Sequence, residues 1–225
     1  MPSYASLASI EELESEPFRE FTTELSIFAD SIGLPASIPA SKHWEYPWIW
    51  KQICHYPQGN LLDIGSGLSP WPWFLSKRCP VTMVEIDPDL FPIWQKTGAR
   101  AKWRIVSDEL LPFEKESFDF VTSLSVIEHQ PNKQKAISEI IRVLRPGGIL
   151  AISFDVAVEG GVYPAENGQP LKTKSFEDLI WFLSAFGNLN PPEWNFEDIP
   201  PFLEWHKTTE PHHTYTVGAA VLQKL

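Results

Sequence analysis

The residues of this chain best placed to do chemistry lie in the heptapeptide LLDIGSG, positions 61–67. An apolar run entering Gly-x-Gly marks a strand that turns into a helix, where glycines let the backbone approach a ligand and the first helical N–H groups are free. Gly65 and Gly67, with Ser66 between them, supply that bend. Asp63 inside it is the informative residue. A carboxylate repels a pyrophosphate but attracts an α-amino group, so the ligand implied carries a cationic amine where a dinucleotide carries phosphates. Glu85 ends the stretch VTMVE, 22 positions beyond Asp63, close to the ~20 at which an acid accepts hydrogen bonds from ribose hydroxyls. Asp87 lies on the same strand face and is the alternative. Asp108, in SDELLPF, follows a third apolar segment. There a carboxylate can accept the exocyclic amine of an adenine, and a solvated loop acid is the other reading.

These acids need strands to carry them and helices to turn the chain between strands. From residue 60 the pattern alternates. Strands are predicted over 61–64, 81–86, 103–106, 118–124 and 149–154, and helices over 71–77, 90–97, 133–144 and 176–186. In the third of these helices Ala136, Ile137, Ile140, Ile141 and Leu144 recur at helical spacing, and RPGG at 145–148 stops it. Such alternation predicts right-handed crossovers and a mostly parallel sheet. Segments 194–199 and 214–222 read as terminal strands. Residues 1–58 read as N-terminal helices and a linker, with 10–32 helical, breakers at Gly33, Pro35 and Pro39, and an aromatic helix after Pro47. The expected organisation is an N-terminal helical segment or lid over 1–58 and one α/β domain over 59–225.

Bulk properties narrow the partners. The 225 residues carry a formal net charge of −11, which opposes phosphate backbones, so nucleic acid is not expected. Cys54 and Cys79 lack metal-like spacing and read as reduced thiols. Five glutamates and no basic cluster in the first twenty residues do not form a secretory signal, and no apolar run reaches the ~20 residues of a membrane span. A cytoplasmic protein is expected.

Taken in order, LLDIGSG, VEIDP, SDELLPF with SFDFVTSLSVIEH, and RVLRPGGILAIS resemble the successive motifs of the class I S-adenosylmethionine methyltransferases, in the small-molecule branch related to ubiquinone-biosynthesis enzymes. The resemblance covers about residues 60–154. It implies a Rossmann-like, doubly wound, mostly parallel seven-stranded sheet with an antiparallel last strand and an N-terminal helical cap. It also implies S-adenosylmethionine as cofactor. Asp63, Gly65, Ser66 and Gly67 would cradle the methionyl part, Glu85 with Ile86 the ribose, and Asp108 with Glu109 the adenine, while Ser123 and His129 would sit beside the sulfonium. Ser69, where the family usually has another glycine, and the PWPW run that opens the next helix depart from the pattern.

The activity implied is methyl transfer to an O, N or C nucleophile of a small molecule or peptide. Residues 200–213, PPFLEWHKTTEPHH, are expected near the acceptor pocket because they precede the antiparallel strand on that edge. His129, His206, His212 and His213 are then the candidate bases, although surface or packing histidines are the plainer reading of each. Trp44, Tyr46, Trp48 and Trp50, and the loop 155–174, are candidate pocket walls, with helix packing the rival explanation. Residues 126–132 offer only Glu128 and His129 as ionisable groups, so a metal-independent enzyme is expected. Two other functions share the fold: an NAD-dependent oxidoreductase, which Asp63 disfavours, and a non-catalytic cofactor-binding or partner protein.

Overall fold

Strands buried on both faces read as nearly continuous apolar runs, and this chain has several. The computed structural model describes residues 4–55, 59–97, 102–106, 110–159, 170–187, 189, 196–212 and 214–225. In chain order its elements are β1 (Tyr4–Leu7), α1 (Ile10–Glu14), α2 (Glu16–Ser31), α3 (Lys42–Ile53), β2 (Leu61–Ile64), α4 (Trp71–Leu75), β3 (Val81–Glu85), α5 (Phe91–Lys96), β4 (Lys102–Ile105) and β5 (Phe118–Leu124). They continue with α6 (Lys133–Val143), β6 (Leu144–Ala157), β7 (Leu171–Lys172), α7 (Thr173–Ser184), α8 (Ile199–Thr209) and β8 (Thr216–Gln223). The sheet runs β4-β3-β2-β5-β6-β8-β1, with the two-residue β7 pairing alongside β6. Strands β2 to β7 pair in parallel, and β8 lies antiparallel between β6 and β1.

Period-two alternation sends successive strand residues to opposite faces, each covered by helices. Leu61, Met83, Ala151, Val217, Ala219 and Val221 pack with Leu25, Trp44, Ile49, Trp71 and Phe202, from α2, α3, α4 and α8. Leu62, Val84, Val121, Ile152, Ala220 and Leu222 pack with Ile137, Ile140, Ile141, Phe176 and Leu183, from α6 and α7. The sheet is therefore doubly wound, with an antiparallel last strand, as the motifs imply.

Three expectations need correction. Tyr4–Leu7 is a strand and not part of a helical segment: it pairs with residues 218–221 of β8 and forms the sheet edge. Segment 194–199 is not a strand in its described part, where a 3₁₀ turn over Phe196–Asp198 leads into α8. Pro200 and Pro201 fit that helix because its first-turn N–H groups have no intrahelical partner. Finally β6 begins at Leu144, directly after α6, and pairs Leu144 with Phe118 before a register shift.

Gly218 in β8 admits the Phe176 ring of α7, since a Cβ there would lie 2.3 Å from the ring. Gly218→Ala is expected to destabilise the protein by about 1–3 kcal/mol through overpacking, read as a lower urea midpoint. An unchanged midpoint would show that α7 is free to shift.

Candidate active site

At the carboxyl end of β2 the backbone turns through two left-handed glycines, Gly65 at φ 69° and Gly67 at φ 51°. A Cβ on Gly65 would stand 2.4 Å from a Val126 methyl, so glycine is required for this close approach. Asp63 lies beneath the bend, 3% exposed. Ser66 Oγ donates to its Oδ2 and Thr122 Oγ1 to its Oδ1, both at 2.5 Å. Burial pushes the Asp63 carboxyl up to about 6, and the nearby Glu85 charge adds to that. The Ser66 and Thr122 hydrogen bonds act the other way. Glu85, at the end of β3, accepts the Gly67 N–H at 3.0 Å and the Ile86 N–H at 2.8 Å. Both expected acids thus converge on one loop.

Two cavities open at this edge, the place where an open α/β sheet binds ligands. One, of about 320 Å³, is walled by Asp63, Gly65, Ser66, Gly67, Tyr46 and Lys42, with prolines 35, 39 and 70. The other, of about 500 Å³, is walled by Glu85, Ile86, Val106, Leu111, Val126 and His129. Ile64, Gly65 and Ser125 belong to both. In the first, the Tyr46 ring stacks on Trp71 with centroids 5.4 Å apart, and its hydroxyl lies 2.7 Å from Ser69 Oγ. Burial pushes the Tyr46 phenol up to about 12, against the lowering influence of Lys42.

Beside Ser125 the structure gathers charges that the sequence reading did not connect. Lys42 Nζ reaches Glu45 Oε1 and Oε2 at 2.7 and 2.5 Å and Ser125 Oγ at 2.7 Å. Glu45, fully buried, also accepts from Ser153 Oγ. Asp155 Oδ1 accepts from Ser125 Oγ at 2.9 Å, and Glu128 Oε1 accepts the Asp155 N–H at 2.8 Å. Burial works to lower the Lys42 pKa, but Glu45, Tyr46 and Asp155 together outweigh it and hold the ammonium above its ordinary range. Burial raises Asp155 to about 6 and lifts Glu128 well above a usual carboxylate, with Asp155 adding to the latter.

The expected site residues fall into distinct places. Asp63, Gly65, Ser66 and Gly67 line the first cavity, and Gly65, Glu85, Ile86 and His129 the second. Ser123 is buried on β5 beside Ile64, its hydroxyl without a partner among the described residues. His206 is fully buried between α8 and β8, its Nδ1 2.8 Å from the Tyr215 carbonyl oxygen, and lines neither cavity. Packing accounts for that position. His212 is exposed on the turn after α8 and lines neither cavity. Asp108, Glu109 and His213 lie outside the described residues. Among the expected aromatic walls only Tyr46 reaches a cavity, for Trp44 and Trp48 stack on each other in the core. Lys42, Glu45 and Asp155 were missed as site residues. The i, i+3 pairing of Lys42 with Glu45 and the place of Asp155 near the end of a parallel strand were the available signals.

A family profile described as a methyltransferase domain matches residues 62–152, from β2 to β6. The ubiquinone biosynthesis O-methyltransferase of Xanthomonas oryzae pv. oryzae is 30% identical over 158 residues, which are 64% of this chain and 66% of that protein. The chain thus spans just under two thirds of that relative's length. Among solved structures, the [4+2]-cyclase SpnF is similar with a TM-score of 0.59 at 16% identity, over 92% of this chain and 95% of its own. A SAM-dependent methyltransferase of Methanosarcina mazei reaches 0.50 at 18% identity, over 76% and 94%. Those two likenesses concern the fold alone. The profile marks a methyltransferase domain over residues 62–152, and the fold and motifs are similar to those of the class I S-adenosylmethionine-dependent methyltransferases.

The raised carboxyls have a measurable consequence. Asp63 moves from an ordinary 3.8 to about 6, so the folded protein holds protons that the unfolded chain releases, and stability falls as pH rises from about 4 through about 6. Asp155 and Glu128 act in the same sense. Glu139, held low chiefly by its hydrogen bond to Arg142, acts oppositely only below its ordinary pKa of 4.5. Urea midpoints should be lower at pH 8 than at pH 5, with Asp63→Asn removing on the order of 1–3 kcal/mol of that drop. A native profile flat across this range would mean that water reaches these groups.

Proposed function

We propose that the protein transfers the methyl group of S-adenosylmethionine to an O, N or C nucleophile of a small molecule or peptide. One observation carries the reading: the buried Asp63 carboxylate lines a cavity at the glycine bend. An ammonium facing Asp63 describes an α-amino head, not a diphosphate. Gly65 keeps the backbone close enough to Val126 for the bend to form, and Glu85 offers its carboxylate to the second cavity, where a nucleoside would fit. S-adenosylmethionine, when bound, supplies an electrophilic methyl on a sulfonium centre.

The chain's own contribution is then alignment and exclusion of water. Helix α3 closes the first cavity with Lys42 and Tyr46, while the prolines at 35, 39 and 70 stiffen the wall. This gives residues 1–58 the role of a fixed cover. We take the transfer to be metal-independent because residues 126–132, after β5, offer only Glu128 and His129 as ionisable groups. The net charge of −11 favours a small acceptor over a nucleic acid. Two free cysteines suit a cytoplasmic setting, and no helix among the described residues is long and apolar enough to cross a membrane.

Titration calorimetry with S-adenosylhomocysteine tests the site directly. The native protein should bind it, and Asp63→Ala and Glu85→Ala should each weaken binding by about 1–3 kcal/mol, the cost of leaving a polar ligand group unpaired. Native-like affinity in both variants, or no binding to the native protein, would remove the assignment.

A further inference from the structure

Ser125 is one of two non-glycine residues with a left-handed backbone among the described residues, at φ 54°. Such conformations are costly for a side-chain-bearing residue and persist where the surroundings fix them. Here the Ser125 N–H donates to Ser153 Oγ at 3.1 Å and to the Ser153 carbonyl at 3.2 Å. The held conformation puts the Ser125 side chain at the junction of the two cavities.

The hydrogen-bond directions around its hydroxyl follow from elementary chemistry. An ammonium only donates, so Lys42 Nζ at 2.7 Å gives a hydrogen to Ser125 Oγ. The hydroxyl's own hydrogen must go elsewhere. Asp155 Oδ1 at 2.9 Å is better placed than the Glu45 oxygens at 3.3 and 3.4 Å. One lone pair of Oγ then remains for a hydrogen arriving from the cavity. Asp155 lies behind it, 7% exposed and lining neither cavity. The groups facing Asp155 are Lys42 and Glu45 from α3, Glu128 from the turn after β5, and the Tyr215 hydroxyl from the approach to β8. Glu128 contributes one oxygen to the Asp155 N–H, and its other oxygen, buried, has no partner among the described residues.

We propose that Ser125 and Asp155 form the proton path of the transfer, Ser125 taking the proton of the methyl acceptor while passing its own to Asp155. The proposal rests on the methyl-transfer reading. As the acceptor's X–H bond breaks, its electron pair forms the bond to the methyl carbon, and the methyl–sulfur pair stays on sulfur as a neutral thioether. The acceptor proton arrives on Ser125 Oγ as the Ser125 proton moves to Asp155 Oδ1, which becomes a neutral carboxylic acid. Charges support the direction. Burial lifts Glu128 well above the usual carboxylate range, with Asp155 adding to that, and burial sets Asp155 at about 6, near the operating pH of an efficient base.

The test uses full-length protein, S-adenosylmethionine labelled in the methyl group, and a protein-free, low-molecular-weight filtrate of cell extract as acceptor source. Ser125→Gly removes the hydroxyl while suiting the left-handed backbone, and Asp155→Asn keeps the shape while removing the base. Both should bind S-adenosylhomocysteine within about threefold of the native protein, and both should lose about 100-fold in transfer rate. The native rate should climb with pH through about 6, and Asp155→Asn should lose that limb. Native-like rates or pH profiles in both variants would overturn the path while leaving the transfer reading intact, and loss of S-adenosylhomocysteine affinity in both would reduce the pair to a structural role. A native protein that binds S-adenosylhomocysteine but moves no label would overturn the transfer reading and this path with it.

Discussion

The site is organised around one buried ammonium. Lys42 sits among Glu45, Asp155 and the Ser125 hydroxyl, 13% exposed at its side chain. Uncompensated charges in such a place cost several kcal/mol each, and compensation depends on close geometry and full hydrogen bonding. Lys42 meets that condition with two carboxylate contacts and one hydroxyl. It also joins parts of the chain distant in sequence, because Ser125 follows β5 while Asp155 and Ser153 belong to β6. Helix α3 therefore cannot leave the sheet without exposing one cation and stranding several acids.

That constraint explains why the N-terminal segment behaves as part of the domain. Its helices share a core with the sheet, through Leu25, Trp44 and Ile49 against Ala219 and Val221. Its first strand completes the sheet edge on β8. Ala40 N–H donates to Glu210 at the end of α8, and Trp44 Nε1 donates to Glu12 of α1. A cover tied down at its core, its edge and its charges differs physically from a hinged lid, which would be drawn from weakly packed segments.

What the sequence disclosed follows the range of the interactions involved. Strand β5 and the glycine bend were legible because apolar alternation and Gly-x-Gly are local signals. Helix α6 was legible because its apolar spacing matches its buried face. Tyr4–Leu7 was not, since four residues carry too little periodicity and their partner lies more than 200 positions away. Helix α8 went unread: only its first residue, Ile199, fell in a predicted element, the strand over 194–199, and the segment 200–213 was given no secondary structure. Apart from the i, i+3 pairing of Lys42 with Glu45, the Lys42 network was out of reach for a related reason. Its contacts span 83 and 108 positions, and no spacing rule links a lysine near one helix start to a serine after a fourth parallel strand.

One backbone arrangement serves different reactions, so the sheet and its crossovers decide where a ligand lies and not what happens to it. What distinguishes this chain is how its side chains divide labour along one edge. Asp63 lines the cavity at the glycine bend, and in the reading we propose it selects a ligand by its head group. Ser125 faces both cavities and connects inward to a carboxylate the cavities do not reach. A base placed directly in the cavity would sit close to Asp63 and compete with it for any cation. Withdrawing that carboxylate behind a neutral hydroxyl keeps recognition and proton removal electrostatically separate, and the left-handed Ser125 backbone is the local strain that makes the separation possible.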